Sequence, residues 1–230
     1  MWQTLKNWFL PKFTIPAHFR HLPWQQIPFL AIDLELTSLD AKESNILSIG
    51  WVEGKQSSIA LASCYYQVIA TKASLNQSPV IHGLLDEHIA QGEPVKVALE
   101  KLRHYAESHV WVFHNTNLDM SVLNKVFLKL GMPLEDIVTL DTLQLALYQI
   151  RKSESVPAPN AATLTSCRQR HNLPLAPAHN ALDDAVATME LLFAQLSQLD
   201  SKGREPLSAL TGTGALKVFK GTVRPQRINP

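Results

Sequence analysis

The apolar and acidic stretch at residues 29–39, FLAIDLELTSL, constrains the fold of this chain more than any other. Its first four residues are apolar, which predicts a buried strand. Asp33 and Glu35 follow, and because alternate residues of an extended chain point to the same side, both carboxylates should project together. Burying two like charges without a partner is costly. A divalent cation bound by oxygen ligands would offset that cost, whereas a solvated strand end would leave both acids in water.

The bulk composition predicts a globular protein. The chain has 230 residues, of which 46% are apolar, enough for the core of one domain with extensions. No apolar run approaches the roughly 20 residues of a membrane helix, and the first residues lack the pattern of a secretory signal. The two cysteines, Cys64 and Cys167, do not make a disulfide framework. These features predict a cytoplasmic protein without a membrane span.

Charge is distributed unevenly along the chain. From Ser201 onward there are six lysines and arginines and one acid, so this part carries +5 while the whole chain carries +1 and residues 1–200 carry −4. A basic C-terminal segment favours an anionic partner such as nucleic acid, although a solubilising terminus would have the same composition.

The order of predicted elements indicates an α/β fold. Apolar runs predict strands beginning at Phe29 and at residues 45–52, 58–69, 110–113 and 138–140. Helical spacing of apolar residues predicts helices at residues 95–108, 118–130, 141–150, 161–171 and 181–199. Short links between the first three strands favour antiparallel pairing, and the later alternation of helix and strand favours parallel pairing. We therefore predict a mixed central sheet, three antiparallel strands followed by parallel strands, flanked by helices.

Two segments lie outside this predicted domain. Residues 1–28 contain aromatic residues interrupted by prolines, which suits either an interfacial anchor or a segment packed across the domain surface. Residues 199–230 form the basic C-terminal tail. The predicted division is therefore an N-terminal extension at 1–28, a central domain at 29–198 and a tail at 199–230.

Two further acidic clusters lie at predicted starts of helices. The first, HNTNLD, runs from His114 to Asp119 directly after a strand, with Asn117 as a candidate N-cap. The second, HNALDD, runs from His179 to Asp184. Asp119 alone would suit simple helix capping, and His179 alone would suit a surface histidine. Together with the first acid pair, however, these acids occupy strand ends and helix starts, where α/β folds gather their sites.

This set of acids suits hydrolysis of a phosphodiester at a site with two metal ions. Carboxylate ligands favour Mg²⁺ or Mn²⁺ over zinc. Two such ions can position a water, neutralise a scissile phosphate and stabilise a leaving oxygen. A nearby histidine such as His179 suits deprotonation of that water.

The three clusters resemble the motifs of the DEDD exonucleases of the DEDDh subgroup, which have a ribonuclease H-like fold. D-x-E is matched by Asp33 and Glu35, and H-N-A-x-F-D is matched in part by His114, Asn115 and Asp119. H-x-A-L-x-D-A is matched by a run from His179 to Ala185. The resemblance covers roughly residues 28–197.

The resemblance implies roles for these residues. Asp33, Glu35, Asp119 and Asp184 would hold two Mg²⁺ or Mn²⁺ ions, and His179 would be the general base. Leu36, Thr37, His82 and Asn115 would contact the terminal nucleotide; His82 lies in a run similar to the family's H-G-I segment, where a structural turn residue is an equal alternative. The family usually reads T-T-G where this chain has Leu36, Thr37 and Ser38, and this departure implies a different substrate preference.

The expected activity is therefore a 3′–5′ exonuclease that releases nucleoside monophosphates from nucleic-acid 3′ ends, first of all single-stranded DNA. An RNA-trimming or oligoribonucleotide exonuclease is the alternative within the enzyme class. A subunit that binds a DNA polymerase is the alternative from another class, and the sequence leaves the oligomeric state open.

Overall fold

A six-stranded mixed sheet forms the centre of the computed structural model, which describes residues 15–71, 83–153 and 158–221. Its strands are β1 (Phe29–Leu36), β2 (Ile46–Lys55), β3 (Ser58–Val68), β4 (Val110–Phe113), β5 (Ile137–Asp141) and β6 (Leu216–Phe219). The strand order is β3-β2-β1-β4-β5-β6. The first three strands pair antiparallel, β1, β4 and β5 pair parallel, and β6 returns antiparallel to β5. The predicted α/β fold with a mixed sheet is confirmed.

Seven α-helices are described around this sheet. They are α1 (Ala17–Arg20), α2 (Asp86–Ala90), α3 (Val95–Leu102), α4 (Thr116–Lys129), α5 (Thr142–Ser153), α6 (Leu164–Arg170) and α7 (Ala181–Leu199). Short 3-10 segments occur at Trp24–Gln26, Arg103–Tyr105 and Leu207–Thr213. None of the helices in these described ranges has the length and apolar character needed to cross a lipid bilayer.

The sheet separates two apolar cores because side chains alternate between its faces. On β1, Phe29 and Ala31 pack on the side of α7, against residues such as Met189. Leu30 and Ile32 pack on the opposite side, with residues of α3 and α4. Asp33 and Glu35 continue the alternation of Phe29 and Ala31, and they therefore project from the α7 face of β1.

The two ends of the described chain pack against each other and against the sheet. The backbone nitrogen of Trp24 donates to the carbonyl oxygen of Glu205 at 3.2 Å, and that of Leu207 donates to the carbonyl of Leu22 at 3.0 Å. Trp24 and Leu207 are both buried in the core on the α7 face. Strand β6 was not predicted, because a four-residue strand among basic residues gives no clear periodicity. The division at residues 28 and 198 stays a prediction.

Several predicted boundaries differ from the observed ones. The helix predicted at 95–108 ends at Leu102 and continues as the 3-10 turn Arg103–Tyr105, and the helix predicted at 118–130 begins two residues early, at Thr116. The choice of Asn117 as N-cap was wrong. The N-cap is Asn115, whose own side chain makes no capping hydrogen bond.

Candidate active site

The first two acids are positioned by β1 and its neighbour β2. Asp33 lies opposite Gly50 and Glu35 lies opposite Ser48 in the antiparallel register. The pairing shifts between Glu35 and Leu36, an irregularity of the kind that often occurs where a strand presents functional side chains. Glu35 is 8% exposed. The strand therefore brings both carboxylates to one face, as the sequence predicted.

The first turn of α7 brings the third acid to the same place. The Asn180 side chain accepts hydrogen bonds from the backbone nitrogens of Leu182 (3.0 Å) and Asp183 (3.3 Å), which caps the helix. One carboxylate oxygen each of Asp33, Glu35 and Asp184 lie within 4.8 Å of one another. We call these three residues the acid cluster. Asp183 is not part of it, because neighbouring residues of a helix point about 100° apart.

Asp119 is held near the acid cluster by a capping arrangement at the start of α4. The carboxylate of Asp141, at the end of β5, accepts hydrogen bonds from the backbone nitrogens of Asn115 (3.4 Å) and Thr116 (3.1 Å). The same carboxylate accepts from Leu143 (3.0 Å) and Gln144 (3.2 Å), at the start of α5. Asp141 is thus buried between two helix N-termini and fixes the first turn of α4, which carries Asp119.

Removal from water and mutual repulsion raise the pKa values of these acids. Burial, followed by the charge of Asp184, raises the pKa of Glu35 to about 7. Burial, followed by the charges of Asp141 and Glu35, raises the pKa of Asp119 to about 8. Burial is also the largest cause that raises the pKa of Asp33 well above its ordinary value, and the charge of Asp119 is the next. Asp119 lies outside the acid cluster, but its charge helps to raise the pKa of Asp33 within that cluster.

His179 lies at the edge of the acid cluster, in the connection before α7. Its backbone nitrogen donates to Asp184 Oδ2 at 2.8 Å, and its φ of 67° is unusual for a residue other than glycine. Burial raises the pKa of Asp184, and this hydrogen bond and the nearby charge of His179 partly oppose that rise. The His179 side chain is exposed and lines a cavity of about 260 Å³ that Asp33 and Asp184 also line.

The predicted substrate contacts lie at different places. Thr37 is half-buried in the loop after β1, where its hydroxyl accepts a hydrogen bond from the Asn45 nitrogen at 2.9 Å, and Leu36 packs on the core. Asn115 is exposed with a left-handed φ of 108° beside the first turn of α4. His82 lies outside the described residues. The roles of these four residues stay predictions.

His114, the first residue of the second motif, lines the same cavity as Asp33 and Asp184 and also makes structural contacts. Burial lowers its pKa, so the ring is neutral near pH 7. Its Nε2 lies 2.9 Å from the carbonyl oxygen of Ala162, and its Nδ1 lies 2.8 Å from the Thr142 hydroxyl, which itself lies 3.1 Å from the carbonyl oxygen of Phe113. His114 thereby ties the end of β4 to the segment before α6.

Sequence reasoning missed several residues that build the site. Gly50 allows α7 to approach β2, and a glycine inside a strand was the available signal. Asp141 directly after an apolar strand was a weaker signal. Lys125 on α4 donates to the carbonyl oxygens of Ala41 (2.7 Å) and Ser44 (2.5 Å), and so holds the loop that follows β1. No sequence pattern distinguished Lys125 from a solvent-exposed lysine.

The donor set fits hard divalent cations. The acid cluster offers only carboxylate oxygens, which Mg²⁺ and Mn²⁺ prefer as ligands. Within residues 15–71, 83–153 and 158–221, no lysine or arginine forms an ion pair with these three acids. Burial raises the pKa values of Asp33 and Glu35, repulsion from neighbouring acids adds to the rise, and none of these basic side chains offsets it. A bound cation would provide a compensating charge and lower those pKa values.

Comparison with known proteins yields an exonuclease family model and relatives named as a DNA polymerase and as an exonuclease. The family model RNase_T, described as Exonuclease, matches residues 30–192. A DNA polymerase III PolC-type protein of Listeria welshimeri serovar 6b is 26% identical over 181 residues, covering 76% of this chain and 12% of that protein. A 3′-5′ exonuclease DinG of Staphylococcus epidermidis is 25% identical over 175 residues, covering 75% of this chain and 18% of that protein. The chain thus spans only a small part of these relatives.

Solved structures with the same fold are also nucleases. Cell-death related nuclease 4 aligns with a TM-score of 0.60 at 13% identity, covering 92% of this chain and 85% of that one. Exonuclease X in complex with 5′ overhanging duplex DNA aligns with a TM-score of 0.58 at 19% identity, covering 80% and 99%. At these identities the likeness shows the fold alone, and it confirms the predicted ribonuclease H-like architecture.

Proposed function

We infer that this chain, which belongs to the exonuclease family, is a metal-dependent nuclease that removes nucleoside monophosphates from the 3′ end of a nucleic-acid strand. Family membership makes the chain a nuclease, as the sequence predicted. The direction of cleavage and the mechanism are part of the proposal. The observation that supports it most is the acid cluster, with its carboxylate oxygens within 4.8 Å of one another and with His179 at its edge.

The acids are the proposed metal ligands. Asp33, Glu35 and Asp184 would hold Mg²⁺ or Mn²⁺, and Asp119 would support a second ion from the first turn of α4. When bound, such ions stabilise the charge that develops on a scissile phosphate and supply an activated water. The high pKa values of the free carboxyl groups mean that protons compete with cations for this site.

His179 is the proposed general base. Its exposed imidazole lines the same cavity as Asp33 and Asp184, so it can accept a proton from a water at the cluster and release it to solvent. Asn115 and Thr37 lie on the two loops that follow β4 and β1, and they are proposed to contact the terminal nucleotide together with Leu36 and His82.

Cleavage of 5′-labelled single-stranded DNA and RNA of matched sequence tests the proposal. The full chain would be assayed with Mg²⁺, with Mn²⁺ and with EDTA, beside His179→Ala and the control His104→Ala. His104 is an exposed histidine of the 3-10 turn Arg103–Tyr105. We expect a ladder that shortens from the 3′ end, requires metal, persists in His104→Ala and is lost in His179→Ala. Absence of cleavage in the wild-type chain would contradict the proposal.

The same assay ranks the substrates. We propose single-stranded DNA first, since the PolC-type relative is named as a DNA polymerase and the Exonuclease X structure is a complex with 5′ overhanging duplex DNA. Faster cleavage of the RNA strand would instead favour the RNA-trimming alternative. The PolC-type relatives also support a DNA polymerase as a proposed partner. The cytoplasmic setting stays a proposal from the sequence.

A further inference from the structure

The connection from α6 to α7, residues 171–180, carries His179 but has few backbone hydrogen bonds. At its start, the nitrogen of Leu173 donates to the carbonyl of Arg168 at 3.0 Å, and near its end the nitrogen of His179 donates to Asp184. Between these points two prolines remove donors. In this part of the described chain, residues 174–178 make a single hydrogen bond, which comes from the side chain of Arg168.

Arg168 joins three elements through one buried guanidinium group. The residue lies on α6 and is only 4% exposed. Its Nη2 donates to the carbonyl of Pro174 in the connection at 2.9 Å, and its Nη1 donates to the carbonyl of Ala187 on α7 at 2.8 Å. Nη1 also lies 2.7 Å from Glu190 Oε2, so the charge is paired. The planar fork of an arginine can satisfy these acceptors together.

Two of these contacts lie close to the active site along the chain. Ala187 is one helical turn after Asp184, and Pro174 is five residues before His179. The cavity of about 260 Å³ lies beside the connection and is lined by Arg168, by residues 173–179 and by Asp184. The connection therefore has open space on one side, and Arg168 links it to the helix that carries Asp184.

We propose that Arg168 is a positioning residue, which holds the 171–180 connection against α7 so that the His179 imidazole stays at the acid cluster. This inference rests on the proposed function, in which His179 acts as the base. The competing explanation is that Arg168 forms a buried ion pair that only stabilises the fold. The two explanations predict different results in the measurements below.

The test compares Arg168→Met and Arg168→Lys with wild type in steady-state cleavage of the 5′-labelled DNA. Lysine keeps a positive charge beside Glu190, but its single ammonium cannot reach both carbonyl oxygens. In both variants we expect kcat to fall by about 10- to 100-fold, since a misplaced base loses this much, while KM stays within about twofold. Arg170→Met, at an exposed position of the same helix, should leave both parameters unchanged.

Hydrogen exchange measured by mass spectrometry gives a readout that does not depend on activity. We expect faster exchange in peptides of residues 172–179 of Arg168→Lys, with unchanged exchange in residues 188–199 of α7. Exchange that rises throughout α7, or a kcat equal to that of wild type in Arg168→Lys, would overturn the proposal. If the wild-type chain cleaves nothing, the proposed function fails, and exchange alone decides whether Arg168 anchors the connection.

Discussion

A Cβ atom at Gly50 would lie 2.4 Å from the backbone carbonyl carbon of Ala181, closer than a side chain can approach a neighbouring backbone. Gly50 therefore lets the first turn of α7 rest on β2, next to its strand partner Asp33. We expect Gly50→Ala to displace this turn and to move Asp184 away from the other acids. The free energy of unfolding should fall by about 3 kcal/mol, and hydrolysis by at least about 100-fold.

Thermal unfolding and cleavage assays would measure both effects. Gly212→Ala is the matched control, because no atom lies within 4 Å of a Cβ added there. Wild-type stability and activity in Gly50→Ala would show that α7 does not rest on β2 in the way described.

Asp184 has two separable contributions, as a proposed metal ligand and as the acceptor for the His179 nitrogen. Asp184→Asn keeps an oxygen that can accept this hydrogen bond, whereas Asp184→Ala does not. We expect both variants to lose hydrolysis by more than about 100-fold, as removal of a ligand should exceed the cost of losing its supporting groups. Only Asp184→Ala should also lose about 1 kcal/mol of stability. Cleavage near the wild-type rate in either variant would remove Asp184 from the site.

The stability of the metal-free protein should depend on pH through Glu35. Its pKa is raised in the folded state from 4.5 to about 7, so the folded chain retains a proton that the unfolded chain loses in this window. The free energy of unfolding in EDTA should therefore fall as the pH rises from about 4.5 to 7, and Asp119, with a pKa of about 8, should extend the fall. Denaturant titrations across pH 5–9 would measure this slope.

Glu35→Gln removes the ionisation and provides the control. At pH 8 we expect this variant to be more stable than wild type in EDTA by about 1–3 kcal/mol. Saturating Mg²⁺ should reverse the order, since only the wild-type chain gains a full set of carboxylate ligands. A wild-type stability that rises with pH in EDTA would contradict the described electrostatics.

Asp141 should contribute more to the free energy of unfolding than an ordinary helix cap does. Its carboxylate serves nitrogens at the starts of both α4 and α5, whereas the Thr163 hydroxyl accepts from one nitrogen of α6, that of Ser166. We expect Asp141→Ala to lower the free energy of unfolding by about 2–4 kcal/mol and Thr163→Ala by about 1 kcal/mol. Equal losses in chemical denaturation would contradict the double role of Asp141.

The basic C-terminal segment is expected to contact phosphates through Arg224 and Arg227, which lie outside the described residues. Replacing both with glutamine should weaken single-strand binding and reduce the slope of log K against log salt by about 1–2. Lys96→Gln, at an exposed position that pairs with Glu100 on α3, is the control. An unchanged slope across a salt series would exclude these arginines as phosphate contacts.

Strong periodicity made most of the sheet and the long helices predictable from the sequence. The run from Phe29 to Ile32 is apolar on both faces because β1 is buried between two helical layers. Helix α7 was predicted at its observed bounds from the helical spacing of its apolar residues, and Asn180 caps it in the structure. The convergence of Asp33, Glu35 and Asp184 followed from strand alternation and the motif resemblance together.

The parts that could not be predicted depend on contacts between different elements of the fold. Arg168 reaches Pro174 and Ala187, and Asp141 reaches the start of α4, only after the chain has folded. Asn117 has the residue type of an N-cap, but the helix begins earlier. Its N-cap is Asn115 in the αL conformation, and the Asp141 carboxylate accepts hydrogen bonds from the nitrogens of Asn115 and Thr116. Local propensity carries no information on such partners.

The two ends of the described chain pack against each other, so the segment that the family model matches is shorter than the segment that forms the core. The family match covers residues 30–192, which stops inside α7 and excludes β6. A fragment cut at those limits would lack Trp24, Leu196 and Leu207, all buried in the core that supports Asp33. Expressed fragments, domain grafts and deletion variants should therefore keep at least residues 15–221, and loss of activity in shorter fragments would report a broken core instead of a missing catalytic group.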